Sequence, residues 1–342
     1  MTTLVSLNAR IQQYLPHIEA EMRAVIDAGT QPPAFNAMLN YHLGFVNADG
    51  KPAQANAGKR IRPALVLLSC EACSGEWEQA LPAAAAVELL HNFSLIHDDI
   101  EDRDELRRGR PTLWRQWGEA QAINSGDAMF AMAHLALLRC GERGVPVERV
   151  MRAMRAFDEM CVQLTIGQHL DLSFERRNDV SAAEYMQMIE GKTAALTAAS
   201  CEIGAIIAGT SAAQIVGLRD FGKWLGMSFQ LQDDVLGIWG DPDKTGKRDS
   251  DLAHHKKTLP ILFAAERDGR IRARYFGSNG LNSEEIIAIR EMIEHAGGRM
   301  HAEQAAAHAF GNALEALDTA GGDAAHMQLL RDLAQSLLGR AH

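Results

Sequence analysis

Apolar residues recur along the chain at intervals of three and four positions, and strand-like alternation of apolar and polar residues is nearly absent. Over residues 82–102 one such stripe carries Leu89, Phe93, Ile96 and Ile100. This spacing keeps the four side chains on one face of a helix, where they can pack against neighbours. The proline at the start of this segment is tolerated at a first helical position. The pattern therefore predicts an α-helix with this face in the core.

Similar patterns predict further long helices, separated by glycine-rich or polar turns. They span residues 61–71, 124–140, 151–172, 182–209 and 218–238, with a loop at 47–58 and turns at 277–282 and 297–298. No linker or shift in composition divides the chain, so we expect one domain over residues 1–342. The prediction is an all-α protein, a single large helical bundle around a central cavity.

Composition limits the ligands that such a bundle can take. Of the 342 residues, 47% are hydrophobic and 23% are charged, which is enough for a sizeable core. A formal net charge of -10 argues against binding of nucleic acid, because phosphate backbones need a basic footprint. Any phosphate-bearing ligand must therefore be small and must meet local positive charge or a bound metal.

The distribution of apolar residues and cysteines limits the location of the protein. No run of about 18 apolar residues occurs, so we expect no membrane span. Residues 1–30 lack the basic start and apolar core of a secretory signal, so we expect a cytoplasmic protein. The five cysteines are odd in number and lack a second close pair, which favours buried packing over disulfides or zinc.

Ionisable residues occupy a second face of the helix over residues 82–102. Glu88, His91, Asp98, Asp99 and Asp102 lie there, although the surrounding sequence is strongly apolar. Because Asp98 and Asp102 are four positions apart, they stand one helical turn over one another, about 6 Å along the axis. A solvated acidic helix end is the simpler interpretation of such a run taken alone.

A second acidic helix changes that interpretation. Gln230, Asp233 and Asp234 share one face of the segment 218–238, whose other face is apolar. These acids could oppose Asp98 and Asp102. Facing carboxylates would repel, but magnesium ions bound through carboxylates and diphosphate oxygens neutralise that charge. Together with several separated basic motifs, the two clusters favour a metal and diphosphate site.

The first acidic stretch carries a resemblance to a known family. Leu95-Ile96-His97-Asp98-Asp99-Ile100-Glu101-Asp102, followed by Arg107-Arg108-Gly109, resembles the first aspartate-rich motif of trans-type isoprenyl diphosphate synthases. Farnesyl and geranylgeranyl diphosphate synthases belong to this family. The resemblance covers most of the chain and implies the helical isoprenoid synthase fold, magnesium ions and a homodimer. It implies that Asp98 and Asp102 bind magnesium directly, with Asp99 as a supporting acid at the metal site.

The basic motifs resemble the two diphosphate sites of this family. Gly58-Lys59-Arg60-Ile61-Arg62-Pro63 resembles the site for isopentenyl diphosphate. The resemblance implies four contacts to isopentenyl diphosphate, from Lys59, Arg62, His91 and Arg108. It implies four contacts to the allylic diphosphate, from Arg107, Lys192, Lys247 and Lys256. Taken singly, such basic residues more often face solvent, and a lone helical histidine is more often structural.

Two further motifs lie in the second half of the chain. Gly191-Lys192-Thr193 resembles the family's Gly-Lys-Thr beside the reacting allylic carbon, and it lacks the earlier glycine of a P-loop. Phe229-Gln230-Leu231-Gln232-Asp233-Asp234 resembles the start of the second aspartate-rich motif, which implies Asp233 and Asp234 as further metal ligands. Gly237 stands where the family usually has a final Asp, so the last of three expected magnesium ions needs another acid, such as Asp241 through water.

The segment that follows the second motif, Asp241-Pro242-Asp243-Lys244-Thr245-Gly246, begins like an EF-hand loop. An EF-hand ends on a glutamate at its twelfth position, and Leu252 stands there instead. We therefore interpret this segment as a lid over the diphosphate.

The resemblance implies a condensation of isopentenyl diphosphate with an allylic diphosphate. The bound magnesium and basic residues draw off the allylic diphosphate, and the double bond of isopentenyl diphosphate attacks the resulting cation from a fixed geometry. Gln230 and Thr193 offer oxygen dipoles to that cation. Phe93 and Ser94, five and four positions before Asp98, resemble the pattern of geranylgeranyl synthases, with farnesyl synthases as the alternative.

Two alternatives come from other classes of protein. A terpene cyclase would share an aspartate-rich helix, but it has no use for a site that binds isopentenyl diphosphate. A non-catalytic subunit of a synthase would be expected to lack the metal ligands that this sequence retains.

Overall fold

The structure is a computed structural model that describes residues 6–53, 58, 60–73, 76–240, 250–277 and 280–338. Nearly all regular structure in these residues is helical, which confirms the predicted all-α class. The α-helices are α1 (Leu7–Asp27), α2 (Pro33–His42), α3 (Ile61–Cys73), α4 (Leu81–Glu101), α5 (Leu113–Trp117), α6 (Glu119–Leu138), α7 (Val147–Glu175), α8 (Ala182–Ile189), α9 (Ala195–Ala208), α10 (Ala212–Trp239), α11 (Ser250–Ala253), α12 (Leu259–Arg267), α13 (Gly269–Phe276), α14 (Ser283–His295), α15 (Gly298–Ala320) and α16 (Ala324–Leu338).

Shorter elements complete the described secondary structure. Strands β1 (Leu106–Arg107) and β2 (Arg110–Pro111) form an antiparallel hairpin. Turns of 3₁₀ helix cover Trp77–Ala80 and Arg139–Arg143, and Glu190–Ala194 forms one π-helical turn. None of the helices in the described ranges is both long enough and apolar enough to cross a membrane.

Packing divides the chain into two compact units. The first unit comprises Met1–Ala156, Ser200–Ser211 and Gly322–Leu329. The second comprises Phe157–Ala199, Ala212–Gly321 and Leu330–His342. The single domain expected over residues 1–342 stays a prediction.

Helix α4 lies at the centre of the first unit, where α1, α3 and α6 pack against it. Every residue over 81–90 is buried, and the alanines within this run allow neighbouring helices to approach closely. Of the predicted core stripe, Leu89, Ile96 and Ile100 are buried, whereas Phe93 is only partly buried. The helix thus buries its first half and ends at the exposed Asp102.

In the second unit α10 packs along α15 and against the π-helical turn. Phe221 and Leu225 are buried in this packing, as their spacing predicts. The two helices can approach this closely because residue 217 is glycine, since a Cβ at Gly217 would lie 2.7 Å from the Cβ of Ala320. The last turns of α10 carry Asp233 and Asp234.

The predicted helix over residues 182–209 is wrong in one respect, because it is not a continuous α-helix. The π-helical turn separates α8 from α9 and contains the Gly-Lys-Thr motif. Here the backbone of α7 comes so close that a Cβ at Gly167 would lie 2.1 Å from the backbone nitrogen of Lys192. A single π-helical turn hardly changes the spacing of apolar residues, so the sequence pattern did not predict it.

Other predicted boundaries differ from the observed ones by a few residues, as helix ends usually do. The predicted turn at residues 297–298 is confirmed, since Gly297 adopts a φ of 83° between α14 and α15. The predicted loop at residues 47–58 falls partly outside the described residues. Its described part contains an isolated antiparallel bridge between Val46 and Pro52.

Candidate active site

The first acidic cluster lies at the end of α4 in the first unit. The backbone N–H of Asp102 donates to the carbonyl oxygen of Asp98 at 2.8 Å, which confirms that the two residues are one helical turn apart. The Asp98 side chain is partly buried and that of Asp102 is exposed. Both carboxylates are therefore placed at an accessible helix end rather than in the core.

Asp99 differs from these neighbours because its side chain is only 1% exposed. Arg107, from the β1–β2 hairpin, donates from Nε to Asp99 Oδ1 at 2.6 Å. Burial raises the pKa of Asp99 to about 6, and the guanidinium of Arg107 opposes that rise. The second carboxylate oxygen, Oδ2, is buried with no hydrogen-bond partner in the part of the chain that the structure describes.

A basic pocket adjoins this pair in the first unit. It is lined by Tyr41, His42, Asp99, Arg107, Arg108, Arg110, Pro111 and Thr112. Burial and the nearby arginines lower the pKa of His42 to about 3, so its ring is neutral at pH 7. The positive charge of this pocket therefore comes from arginine.

More basic groups of the first unit surround the same arginines. Arg62 Nη1 lies 3.3 Å from His91 Nε2. Burial and the neighbouring Arg62 and Arg108 hold the pKa of His91 well below its usual value, so the neutral ring accepts this hydrogen bond. Arg108 packs beside Gly58, since a Cβ on Gly58 would lie 3.0 Å from Nη2 of Arg108. The structure thus brings together three of the four residues predicted to bind isopentenyl diphosphate, and Lys59 lies outside the described residues.

Arg60 serves a different purpose from its neighbours in the same motif. Its buried side chain donates to Glu88, which also accepts a hydrogen bond from Asn92 at 2.9 Å. This buried ion pair joins the loop before α3 to α4. Glu88, which the sequence pattern grouped with the acidic face, is therefore structural.

Phe93 and Ser94 lie one turn earlier on α4. The Phe93 ring packs against Phe130 of α6, with 5.0 Å between centroids, and against His97 at 4.7 Å. Ser94 Oγ donates to the carbonyl oxygen of His91 at 2.9 Å. Phe93 is thus the bulky group of the pair and is held by a second aromatic ring.

In the second unit the π-helical turn presents Lys192 and Thr193. Lys192 Nζ donates to Asp171 Oδ2 of α7 at 2.6 Å, and both side chains are partly exposed. Thr193 Oγ1 donates to Gln230 Oε1 of α10 at 2.9 Å. The predicted neighbours Thr193 and Gln230 are thus joined directly.

The second aspartate pair also has one exposed and one buried member. Asp233 is exposed, whereas Asp234 is 2% exposed. Asp234 accepts a hydrogen bond from the hydroxyl of Tyr185 at Oδ2, and one from Gln230 Nε2 at Oδ1 at 3.1 Å. Burial raises the pKa of Asp234 to about 7, and these two hydrogen bonds oppose the rise.

A neighbouring residue in the second unit explains why position 237 is a glycine. A Cβ at this position would lie 2.0 Å from Oδ2 of Asp251 in α11. The Asp251 carboxylate therefore occupies the space that a side chain at position 237 would need. Lys256 follows on an exposed turn anchored by Tyr275, whose hydroxyl donates to the Lys256 carbonyl oxygen at 2.9 Å. Lys247, Asp241 and the lid predicted at residues 241–246 lie outside the described residues.

Sequence reasoning missed several residues that the structure places in these clusters. They are His42, Asp171, Tyr185 and Asp251. Each reaches its cluster from a different helix, so neither motif spacing nor periodicity connects it to the site. Asp251 alone left a signal, because a missing acid at Gly237 indicates that another group takes its place.

Long helices that carry paired aspartates beside guanidinium and ammonium groups define a helical enzyme suited to diphosphate ligands. A protein-family model described as polyprenyl synthetase matches residues 50–293. A (2E,6E)-farnesyl diphosphate synthase of Mycobacterium tuberculosis is 45% identical over 275 residues, which is 78% of this chain and 75% of the relative. A geranylgeranyl diphosphate synthase of the same species is 40% identical over 304 residues, or 87% and 85% of the two chains.

The fold gives the same result. A crystal structure of a polyprenyl synthetase from Streptomyces coelicolor matches with a TM-score of 0.88 and 36% identity, covering 97% of this chain and 100% of that one. The chain belongs to the polyprenyl synthetase family. The predicted family, the isoprenoid synthase type of helical fold and the prediction of a prenyltransferase enzyme are confirmed.

Proposed function

We propose that the protein is a magnesium-dependent trans-prenyltransferase that condenses isopentenyl diphosphate with an allylic diphosphate. The observation that carries this proposal is the cluster of Arg62, His91 and Arg108, a second anion site in addition to the acidic clusters. A reaction on one diphosphate substrate needs only the site at the acidic clusters. A reaction on two diphosphate substrates also needs a second site such as this basic cluster.

The acidic residues fit magnesium, because carboxylate oxygens are the ligands that this ion prefers. In the first unit Asp98 and Asp102 would hold magnesium, and in the second unit Asp233 would do so, with Asp251 supplying the acid that Gly237 lacks. Magnesium would supply Lewis acidity at the diphosphate. Asp234 was also predicted as a metal ligand and Asp99 as a supporting acid at the metal site, and their burial and hydrogen bonds favour a supporting role for both.

The protein's own groups then bind and orient the substrates. Lys59, Arg62, His91 and Arg108 hold isopentenyl diphosphate, and the neutral His91 ring adds a donor at Nδ1 while Nε2 accepts from Arg62. The family resemblance assigns Arg107, Lys192, Lys247 and Lys256 to the allylic diphosphate. Arg107 and Lys192 are paired with Asp99 and Asp171 in the ligand-free protein. Diphosphate binding therefore exchanges one anionic partner for another.

The relatives leave the product length open, since one is named for farnesyl and the other for geranylgeranyl diphosphate. We propose geranylgeranyl diphosphate, because Phe93 is followed by the small Ser94 and a single bulky ring leaves more depth than two. Phe93→Ala is expected to shift the product by at least one isoprene unit, measured by chromatography of the dephosphorylated alcohols. An unchanged product would show that Phe93 is not the floor of the pocket.

A single assay tests the proposed reaction. Protein, magnesium, an allylic diphosphate and labelled isopentenyl diphosphate are mixed, and prenyl alcohols are identified after phosphatase treatment. The proposal requires a labelled, linear product that disappears with chelator and with Asp98→Ala. A cyclic hydrocarbon made without isopentenyl diphosphate would indicate a terpene cyclase, and no product at all would indicate a non-catalytic subunit.

We further propose a cytoplasmic homodimer. All five cysteines are free thiols, as expected in a reducing compartment. Three large apolar residues of α6 are exposed, Ile123, Leu135 and Leu138, with Leu135 58% exposed. A second copy of the chain would cover these residues. Sedimentation of the wild type as a monomer, or of Leu135→Asp as an unchanged dimer, would contradict that interface.

A further inference from the structure

Four side chains in the second unit form one continuous hydrogen-bonded chain. Tyr185 of α8 donates to Asp234 of α10, and Asp234 accepts a second hydrogen bond from Gln230 Nε2 at 3.1 Å. Gln230 Oε1 in turn accepts from Thr193 Oγ1 at 2.9 Å. Tyr185 is 2% exposed and packs in the hydrophobic core, so it cannot itself reach a ligand.

The buried residues Tyr185 and Asp234 determine the direction of each hydrogen bond in this series of side chains. As an ionised carboxylate Asp234 accepts at both oxygens, so the Gln230 amide turns its NH2 group toward Asp234. The Gln230 carbonyl oxygen then faces Thr193, whose hydroxyl hydrogen must point at Gln230. The Thr193 oxygen therefore has only its lone pairs available to a ligand.

The local backbone supports the same orientation. A threonine within an α-helix commonly donates its hydroxyl hydrogen to a carbonyl oxygen one turn earlier. Thr193 lies in the π-helical turn and donates across to α10 instead. Its partly exposed oxygen is thereby aimed by a partner on another helix rather than by its own.

We propose that Tyr185 is a positioning residue that acts through Asp234 and Gln230 to hold the Thr193 oxygen with its lone pairs toward the reacting carbon of the allylic substrate. This inference rests on the proposed prenyl transfer and deepens it. Lone pairs stabilise a developing carbocation, whereas a diphosphate oxygen needs a donor, which Thr193 has already committed to Gln230. Thr193 thus serves the cation and not the leaving group.

The test is a double-mutant cycle of wild type, Tyr185→Phe, Thr193→Val and the double variant. Each single change removes one hydroxyl and keeps nearly the same shape. We expect kcat to fall roughly 100-fold for Thr193→Val and roughly 10- to 100-fold for Tyr185→Phe. The KM for each diphosphate should stay within about twofold, because neither hydroxyl holds a substrate. The double variant should be no slower than the slower single variant, since both changes break one chain.

Tyr14→Phe provides a matched control. Tyr14 is likewise a fully buried tyrosine whose hydroxyl donates to a buried carboxylate, that of Glu71, but it lies in the first unit. Its loss should lower Tm and leave kcat unchanged. A Tyr185→Phe variant that loses Tm but keeps kcat, as Tyr14→Phe should, would make Tyr185 merely structural.

Two other results would overturn the proposal. One is a double variant whose loss equals the product of the two single losses, which would mean that Tyr185 and Thr193 act independently. The other is a rise in KM for the allylic diphosphate with kcat unchanged, which would place Thr193 on the diphosphate. A wild type that makes no prenyl product would instead reject the proposed function itself, before any variant is compared.

Discussion

The two aspartate pairs, one in each unit, are alike in sequence and differ in what holds the buried member. In both pairs the first residue is the more accessible, Asp98 partly buried and Asp233 exposed. The second residue is buried in both, Asp99 at 1% and Asp234 at 2% exposure. Adjacent helical residues point about 100° apart, so one member of each pair necessarily turns toward the core.

The partners of the buried acids give each pair a different link to the chemistry. Asp99 pairs with the cationic Arg107, a predicted diphosphate ligand, and its pKa is raised to about 6. Asp234 has only the neutral donors Tyr185 and Gln230, and its pKa is raised further, to about 7. A cation compensates a buried carboxylate better than neutral donors do. The first pair is thus linked to a predicted diphosphate ligand and the second to the Thr193 oxygen.

The largest effects should separate the accessible acids from the buried ones. Asp98→Asn and Asp233→Asn are each expected to lower kcat by at least roughly 1000-fold, equivalent to about 4 kcal/mol of lost transition-state stabilisation. Their Tm should stay near the wild-type value, because neither side chain is buried in the core. Steady-state kinetics at saturating magnesium and thermal unfolding measure the two quantities.

Asp99→Asn is the matched control for that experiment. It removes the charge that pairs with Arg107 in a buried site, so we expect a loss of about 1–3 kcal/mol of stability. Its kcat should fall less than that of Asp98→Asn. Equal losses of kcat for the two variants would remove the distinction between accessible and buried acids.

Sequence patterns predicted most of this site because its parts follow helical geometry. Four-residue spacing placed Asp98 and Asp102 on one turn, and the second motif placed Gln230 beside Asp234. The all-α class followed from the same apolar periodicity. Where a cluster consists of residues one turn apart, sequence alone is sufficient to predict that they lie together.

Contacts between distant helices could not be predicted in this way. Tyr185 reaches Asp234 across 49 sequence positions, and Arg107 reaches Asp99 through a two-stranded hairpin that shows no strand-like alternation. The predicted metal role of Asp99 and Asp234 depended on which way each side chain turns. Periodicity gives the face of a helix, but packing against other elements decides whether that face is buried.

The two buried acids should also make stability depend on pH over different ranges. Asp234 is protonated in both folded and unfolded chains below pH 3.8, and between pH 3.8 and about 7 only the unfolded chain loses its proton. The contribution of Asp234 to stability is therefore fully present at low pH and falls by up to about 4 kcal/mol as pH rises to 7. For Asp99 the fall is up to about 3 kcal/mol and is complete near pH 6.

Unfolding of the metal-free protein by urea at pH 4 to 8 measures this difference. The free energy of unfolding of wild type minus that of Asp234→Asn should fall through pH 7, and the corresponding difference for Asp99→Asn should level off earlier. Stability curves that run parallel for wild type and Asp234→Asn would show that Asp234 is not held in its neutral form by burial.

The smallest effect concerns the gap in the second motif, where Asp251 occupies the space beside Gly237. Gly237→Asp should cost about 1–3 kcal/mol of stability, because its Cβ would overlap the Asp251 carboxylate. Gly311→Asp is the matched control, since a Cβ at this helical glycine of α15 would meet nothing within 4 Å. Both variants replace a helical glycine by aspartate, so the difference between their Tm values reports the cost of the overlap with Asp251.

A second change at the same place decides whether Asp251 replaces the missing acid. Asp251→Ala alone should weaken the magnesium dependence of the reaction, and Gly237→Asp combined with Asp251→Ala should recover both Tm and magnesium affinity. Recovery requires that a carboxylate from either helix serves the same position. Calorimetry with inorganic diphosphate present measures the magnesium affinity of each variant. If the combined variant binds magnesium no better than Asp251→Ala, then Asp251 fills the space beside Gly237 without serving as a metal ligand. The second cluster would then have one acid fewer than the family pattern.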